Sequence, residues 1–253
     1  MTDVLRQAPP QRRRNIRRVL AGLVAPALVV CLVAAGLQRV SRALCFAFVG
    51  PVICRVETAK PLVALTFDDG PTALGVQNIL PELQRQGAHA TFFVVGRDVR
   101  RQPELARRIL AAGHELGNHS FSHRMMVWRS QAFYEDEIAK TELEIRRVGG
   151  ASHSVRPPYA RKLIGAPLAA RRAGLQMVLW DIEDPRTSDP AAFADRIVSA
   201  ARPGSIILLH AMSPEHETAR AALPAILAGL RSRGLEVVSV QQLIEAARTE
   251  PRG

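Results

Sequence analysis

Two short segments carry side chains suited to hydrolytic chemistry: Thr66-Phe67-Asp68-Asp69-Gly70-Pro71 and, about fifty residues later, Asn118-His119-Ser120-Phe121-Ser122-His123. In the first, adjacent carboxylates follow the β-forming run Leu62-Val63-Ala64-Leu65 and precede a Gly-Pro turn. Side chains alternate along a strand, so neighbouring aspartates at its end point different ways and serve different tasks. In the second, two imidazoles stand four residues apart, a spacing that lets both reach one ion on helical or coiled backbone. Two His with one carboxylate form a ligand set that leaves positions open for water and substrate. The residue types predict a metal-dependent hydrolase.

Such residues must be held by a scaffold, and the pattern from Pro61 onward describes one. Short β-rich runs at 62–67, 90–95, 114–118, 153–156, 176–180, 205–209 and 235–238 alternate with amphipathic stretches near 74–86, 103–112, 131–148, 163–173, 191–201 and 217–231, with a last helix at 240–248. Glycines follow several of these stretches, as helix C-terminal caps do. Repeated strand–helix units imply parallel pairing with helices outside. Seven units predict an α/β fold, a seven-stranded (β/α) barrel one unit shorter than the eightfold kind. Chemistry in such barrels gathers at the C-terminal ends of the strands. Asp68, Asp69, His119, Arg156, Asp181, Asp184 and His210 all fall there in this reading.

The chain has 253 residues, 47% hydrophobic, enough for one large domain. Its formal charge of +11 first suggests nucleic acid, but the distribution argues against that partner. Residues 1–60 hold ten Lys and Arg against two Asp and Glu, so most of the excess lies in the leader. There Arg12, Arg13, Arg14, Arg17 and Arg18 precede an uncharged apolar run from Val19 to Leu37. About 20 apolar residues cross a bilayer as a helix, whereas a signal-peptide core is usually about 7–15. The run therefore reads as a signal anchor at 19–37 after a basic cytoplasmic stretch, 1–18, although Ala34-Ala35-Gly36 offers a cleavage site. The arginines place that end in the cytoplasm and the body outside, periplasmic or at the cell surface. A second apolar stretch, 43–54, is too short for a span and reads as interfacial or re-entrant, within a juxtamembrane segment 38–60. Only Cys45 and Cys54 are placed to form a disulfide, since Cys31 lies within the run.

Five motifs then appear in order: Thr-Phe-Asp-Asp-Gly at 66–70, His-Ser-Phe-Ser-His at 119–123, Arg-Pro-Pro-Tyr at 156–159, Asp-Ile-Glu-Asp at 181–184 and Leu-Leu-His at 208–210. With them the segment 61–248 resembles the polysaccharide deacetylase family, the NodB-homology or carbohydrate esterase family 4 domain. The resemblance implies that Asp69, His119 and His123 hold a divalent metal, most often zinc, with cobalt an alternative. It implies Asp68 as the general base and His210 as the acid that protonates the leaving group. Arg156 would orient the base, Asp184 would tune the histidine, and the Tyr159 main-chain N–H would donate to the oxyanion. An ion in such a site lowers the pKa of bound water to about 7.

Leu208 and Trp180 are candidate walls of an acetyl-sized pocket. His89, His114, His153 and His216 match no motif and read as structural or solvated, and the charges from Glu135 to Glu144 read as a solvated helix face. Two positions depart from the family: Ala160 stands where Gly usually follows the Arg-x-Pro-Tyr tetrad, and Pro185 where Trp usually follows the aspartate. Both bear on substrate fit, neither on the metal or acid–base set. The expected activity is hydrolysis of an acetyl or similar small acyl group from an N-acetylated envelope glycan. Alternatives are an O-deacetylase or deformylase acting on a lipid-linked sugar, and a glycan-binding relative without catalysis. Expected partners are an acetylated glycan and, through the N-terminal helix, a membrane.

Overall fold

A computed structural model describes residues 31–36, 39 and 43–250. The chain divides into two compact units, Met1–Arg42 and Ala43–Gly253. In the first, the described residues are helical. The expected span at 19–37 lies for the most part outside the described residues, among which no helix is long and apolar enough to cross a membrane.

The second unit is built on eight strands, β1 (Val52–Ile53), β2 (Leu62–Gly70), β3 (Thr91–Val94), β4 (Glu115–Asn118), β5 (Ser154–Val155), β6 (Gln176–Val178), β7 (Ile206–Leu209) and β8 (Glu236–Val238). All their pairings are parallel, in the order β1-β6-β5-β4-β3-β2-β7, with β8 also on β2. The ring closes where the chain leaving β6 runs beside β7: Ile182 bridges to Ile207, and Leu208 N–H donates to the Ile182 carbonyl at 2.8 Å. Strands β2 to β8 are the seven expected from sequence. The unforeseen β1 lies in the stretch 43–60, which packs with the barrel as part of one unit.

Helices α1 (Ala73–Gln86), α2 (Gly96–Arg101), α3 (Pro103–Ala111), α4 (Gln131–Arg147), α5 (Gly165–Arg172), α6 (Pro190–Ala200), α7 (Glu217–Ser232) and α8 (Val240–Arg248) connect the strands. Thr72 caps α1 by accepting from Gly75 N–H, and Gly87 ends it at a left-handed φ of 61°. Ser239 and Gln242 form a reciprocal capping box at α8. Helix α2 escaped the sequence reading because Gly-Arg-Asp-Val-Arg-Arg has no apolar periodicity and no side-chain cap.

Alternation along β2 divides the core. Val63, Leu65 and Phe67 pack outward beneath the helices, with Val76, Ile79, Ile207, Leu209 and Ile226 among their cluster. Ala64 joins Phe93, Val178, Trp180, Ile206, Leu208 and Val238 in a second cluster. Strands buried on both faces read as unbroken apolar runs, which made them legible in sequence. This double burial fixes β2, so that its last residues are presented in one orientation at the barrel mouth.

Candidate metal and acid–base site

The site begins where β2 loses its regularity. The register against β3 shifts between Phe67 and Gly70, and Asp69 takes a left-handed φ of 66°. Aspartate tolerates that conformation better than most residues. This break, rather than the strand alternation expected from sequence, sends the two neighbouring carboxylates to different principal partners. Asp68, 2% exposed, receives Arg156 Nη1 at 2.7 Å on Oδ1. Asp69 Oδ1 lies 2.9 Å from His123 Nε2 and 3.5 Å from His119 Nε2.

The His119 tautomer follows from its other nitrogen. Nδ1 lies 2.7 Å from the Arg156 carbonyl, which can only accept, so Nδ1 carries a proton and Nε2 is the nitrogen turned toward the carboxylates. One ligand atom each from Asp69, His119 and His123 lies within 4.8 Å of the others. Burial opposes ionisation of Asp69, but hydrogen bonds and charge from His119 and His123 outweigh it and hold its carboxyl below the usual range. An ionised carboxylate with two imidazoles is a donor set that fits a divalent ion.

The segment 119–123 is not helical; a turn shapes it, with left-handed φ at Ser120 and His123. Asn118 Oδ1 accepts from Ser120 N–H at 3.0 Å, and Ser120 Oγ accepts from His123 N–H at 3.1 Å. Glu137 on α4 takes both the N–H and the hydroxyl of Ser122 at 2.8 Å. Reading Glu135–Glu144 as a solvated face is therefore corrected. Glu137 and Glu144 are buried, and Glu142 receives Asn118 Nδ2 at 2.8 Å. That α4 side grips the His-bearing turn, and buried carboxylates persist there because each has hydrogen-bond donors. Glu144 itself takes Arg100 and Arg147.

Arg156 is wholly buried across the barrel interior. Besides Asp68, its guanidinium donates to Thr66 Oγ1 at 2.8 Å and to the carbonyls of Val178 and Leu179 at 3.2 and 2.9 Å. It also lies over the rings of Phe93 and Trp180, 4.0 and 5.3 Å from their centroids. Burial lowers its pKa, and the Asp68 charge opposes that shift. Leu208 and Trp180 belong to the apolar cluster of the barrel, Leu208 with no exposed surface and Trp180 with its Nε1–H donating to Glu183 at 2.9 Å.

On the other side, His210 follows β7. Its Nδ1 lies 2.9 Å from Asp184 Oδ2, which also accepts the His210 main-chain N–H at 3.1 Å. Burial works against protonation here, yet the hydrogen bond to Asp184 and the charges of Asp68, Asp184 and Asp69 push the imidazole up to about 9. The ring of His216, which sequence reading set aside, stacks on that of His210 with centroids 5.4 Å apart. Asp181 stands apart, accepting from Ser205 Oγ and Ile206 N–H at 2.9 and 2.8 Å, and so fastens the closing seam. Tyr159, 62% exposed at a φ of 58°, sets its ring 5.0 Å from that of His123. Ala160 beside it is also left-handed, at 53°.

The arrangement thus brings a candidate metal triad, Asp69, His119 and His123, to the same end of the strands as two ordered pairs, Asp68–Arg156 and His210–Asp184. A family model described as polysaccharide deacetylase matches residues 55–178, a stretch that ends before Asp184 and His210. Over 198 residues the chain is 33% identical to peptidoglycan-N-acetylglucosamine deacetylase PgdA of Listeria monocytogenes; the match covers 76% of this chain but 41% of that protein, less than half its length. A chitooligosaccharide deacetylase of Sinorhizobium fredii is 32% identical, with 74% of this chain and 94% of that one covered. Among solved structures, the Bc1960 peptidoglycan N-acetylglucosamine deacetylase superposes with a TM-score of 0.73 at 28% identity, covering 77% of this chain and 92% of that one. A family 4 carbohydrate esterase pseudoenzyme, BA3943 of Bacillus anthracis, gives 0.70 at 25% identity over 76% and 68%.

Proposed function

This chain belongs to the polysaccharide deacetylase family, and we propose that it is a metal-dependent hydrolase that removes an acetyl group from an N-acetylated sugar of an envelope glycan. The observation that carries the reading is the company of one candidate metal triad: a carboxylate held by a buried arginine and a histidine held by a carboxylate.

Asp69, His119 and His123 would hold the ion, with zinc the first choice and cobalt an alternative; when bound, it would supply an activated water and polarise the acyl carbonyl. Asp68 is the general base. Arg156 occupies Oδ1, so Oδ2, which lies 3.7 Å from His119 Nε2, is the oxygen turned toward the triad and free to take the proton of the attacking water. The Tyr159 main-chain N–H donates to the oxygen of the tetrahedral intermediate, from a residue whose ring lies 5.0 Å from that of His123. His210, charged at neutral pH through Asp184, gives its Nε2 proton to the departing amine. Trp180, which keeps a small exposed surface, is the candidate wall for the acyl group, while Leu208 is wholly buried in the cluster behind it.

The apolar run at 19–37 anchors the chain in a membrane, with the basic N-terminus cytoplasmic and the body in an extracytoplasmic compartment. The disulfide between Cys45 and Cys54 supports that side, since such bonds persist under oxidising conditions. Placement at the envelope directs the activity to peptidoglycan, an exported polysaccharide or a lipid-linked sugar.

The test is acetate release by the metal-loaded chain from a panel of N- and O-acetylated glycans. Metal-dependent release from an N-acetylated member supports the reading. A binding-only relative is the second reading, favoured by the likeness to a pseudoenzyme and by Ala160 and Pro185; a tight glycan complex with metal bound and no product over long incubation decides for it.

A further inference from the structure

The apolar stretch 43–54 has a use that catalysis does not account for. The disulfide Cys45–Cys54 closes it into a loop, and that loop holds Phe46 and Phe48 out to solvent, 46% and 52% exposed, with their rings edge-on at 5.2 Å. The loop is fastened to the barrel. Phe48 N–H donates to the Leu163 carbonyl at 3.1 Å, and β1, within the same loop, pairs with β6. Ile164, next in sequence to Leu163, is itself 52% exposed. Beside the loop a cavity of about 520 Å³ is lined by Pro51, Ile53, Pro167 and Met177, with Arg171 and Arg248. A stapled loop that displays two phenylalanines is a surface shaped for a partner, since exposed apolar patches of this kind mark interaction sites.

We propose that this face seats in the interfacial layer of a lipid bilayer and that the substrate is a glycan carried on, or lying against, that membrane. The inference rests on the anchored-hydrolase reading above. The occupant follows from the chain: Phe46 comes nine residues after the end of the bilayer-length apolar run. Aromatic residues gather at the membrane interface. Arg39 and Arg42 precede the loop in sequence, and such basic residues favour anionic headgroups. The loop also communicates with the site. Lys162 Nζ donates to the Ala43 carbonyl at 2.9 Å and to the Ala160 carbonyl at 3.3 Å, which ties the loop's base to the Tyr159–Ala160 turn. Seating the loop therefore places that side of the barrel mouth at the membrane surface.

The test uses the full chain reconstituted in vesicles of phosphatidylcholine and phosphatidylglycerol, with plain or brominated acyl chains. In Phe48→Trp the emission added over wild type should fall at least twofold in brominated vesicles. Equal added emission in both, including a blue-shifted emission from burial against a second copy, overturns the docking. A Phe46→Ser/Phe48→Ser variant should lose about tenfold in kcat/KM on a membrane-borne acetylated glycolipid and keep its rate on a soluble acetylated oligosaccharide; equal loss on both, or none on either, overturns the substrate assignment. If the metal-loaded wild-type chain hydrolyses neither substrate, the deacetylase reading fails, while the quenching result still decides the docking.

Discussion

Asp68 and Asp69 are chemically identical neighbours with separate environments, and the difference comes from one backbone turn. The left-handed φ at Asp69 and the register shift beside it direct one carboxylate to Arg156 and the other to the imidazoles. Removing the charge of Asp68 while keeping its shape separates the two roles. Asp68→Asn should lower kcat by about 10²–10⁴-fold, the usual share of a general base, and leave metal stoichiometry intact by elemental analysis. His210 provides a test by pH. Its pKa is raised to about 9, so the acid form prevails at neutral pH and activity is lost as pH rises through that value. Asp184→Asn takes away the hydrogen-bonded charge, and the alkaline limb of the kcat profile should move down by about 1–3 units. An unmoved limb would show that another group sets it. Ala160 stands at a positive φ that glycine adopts freely. Ala160→Gly should stabilise the fold by about 0.5–1 kcal/mol in urea denaturation, because relief of the left-handed alanine exceeds the added chain entropy.

At the scale of elements, the strands that carry the site were readable because burial on both faces makes them continuous apolar runs, and the helices because their apolar stripes repeat at helical spacing. What stayed hidden depended on register between distant segments. Glu137 looks like one charge among many on α4, and only the fold brings it to both donors of Ser122. His216 is likewise an isolated histidine until the turn before α7 lays it on His210. Two-residue β1 and the polar α2 lack the length or periodicity that a sequence pattern needs. That the two aspartates would differ was expected from strand alternation, but the turn at Asp69 that separates them was not, and the choice of metal ligand came from the family resemblance. Glu137 gives the prediction proper to this scale. Glu137→Gln keeps the size but weakens the clasp on the turn between His119 and His123, so metal affinity should fall about 10–100-fold by competition with a chelator, as for outer-shell partners generally. Unchanged affinity would mean that the turn holds its shape without α4.

For the whole molecule, the central claim is that one barrel mouth unites an ion-binding triad, a held base and a held acid into a deacetylase. The seam through Asp181 and Ile182 closes the ring on the far side of β7, which pairs with β2 and so sets His210 on the strand next to the one that carries Asp68 and Asp69. The ten-residue loop from Cys45 to Cys54 adds the membrane-facing side, and its disulfide should contribute about 2–3 kcal/mol by restricting the unfolded chain. Cys45→Ser/Cys54→Ser should lower the urea midpoint accordingly without altering hydrolysis of a soluble oligosaccharide. The most direct measurement is acetate release from an N-acetylated oligosaccharide by the zinc-loaded chain, compared with the chelated chain and with metal-loaded Asp68→Asn. The account predicts release that needs the metal and disappears in the variant. Release that survives both chelation and the substitution would contradict it, as would a fully metal-loaded wild-type chain that binds the glycan and frees no acetate.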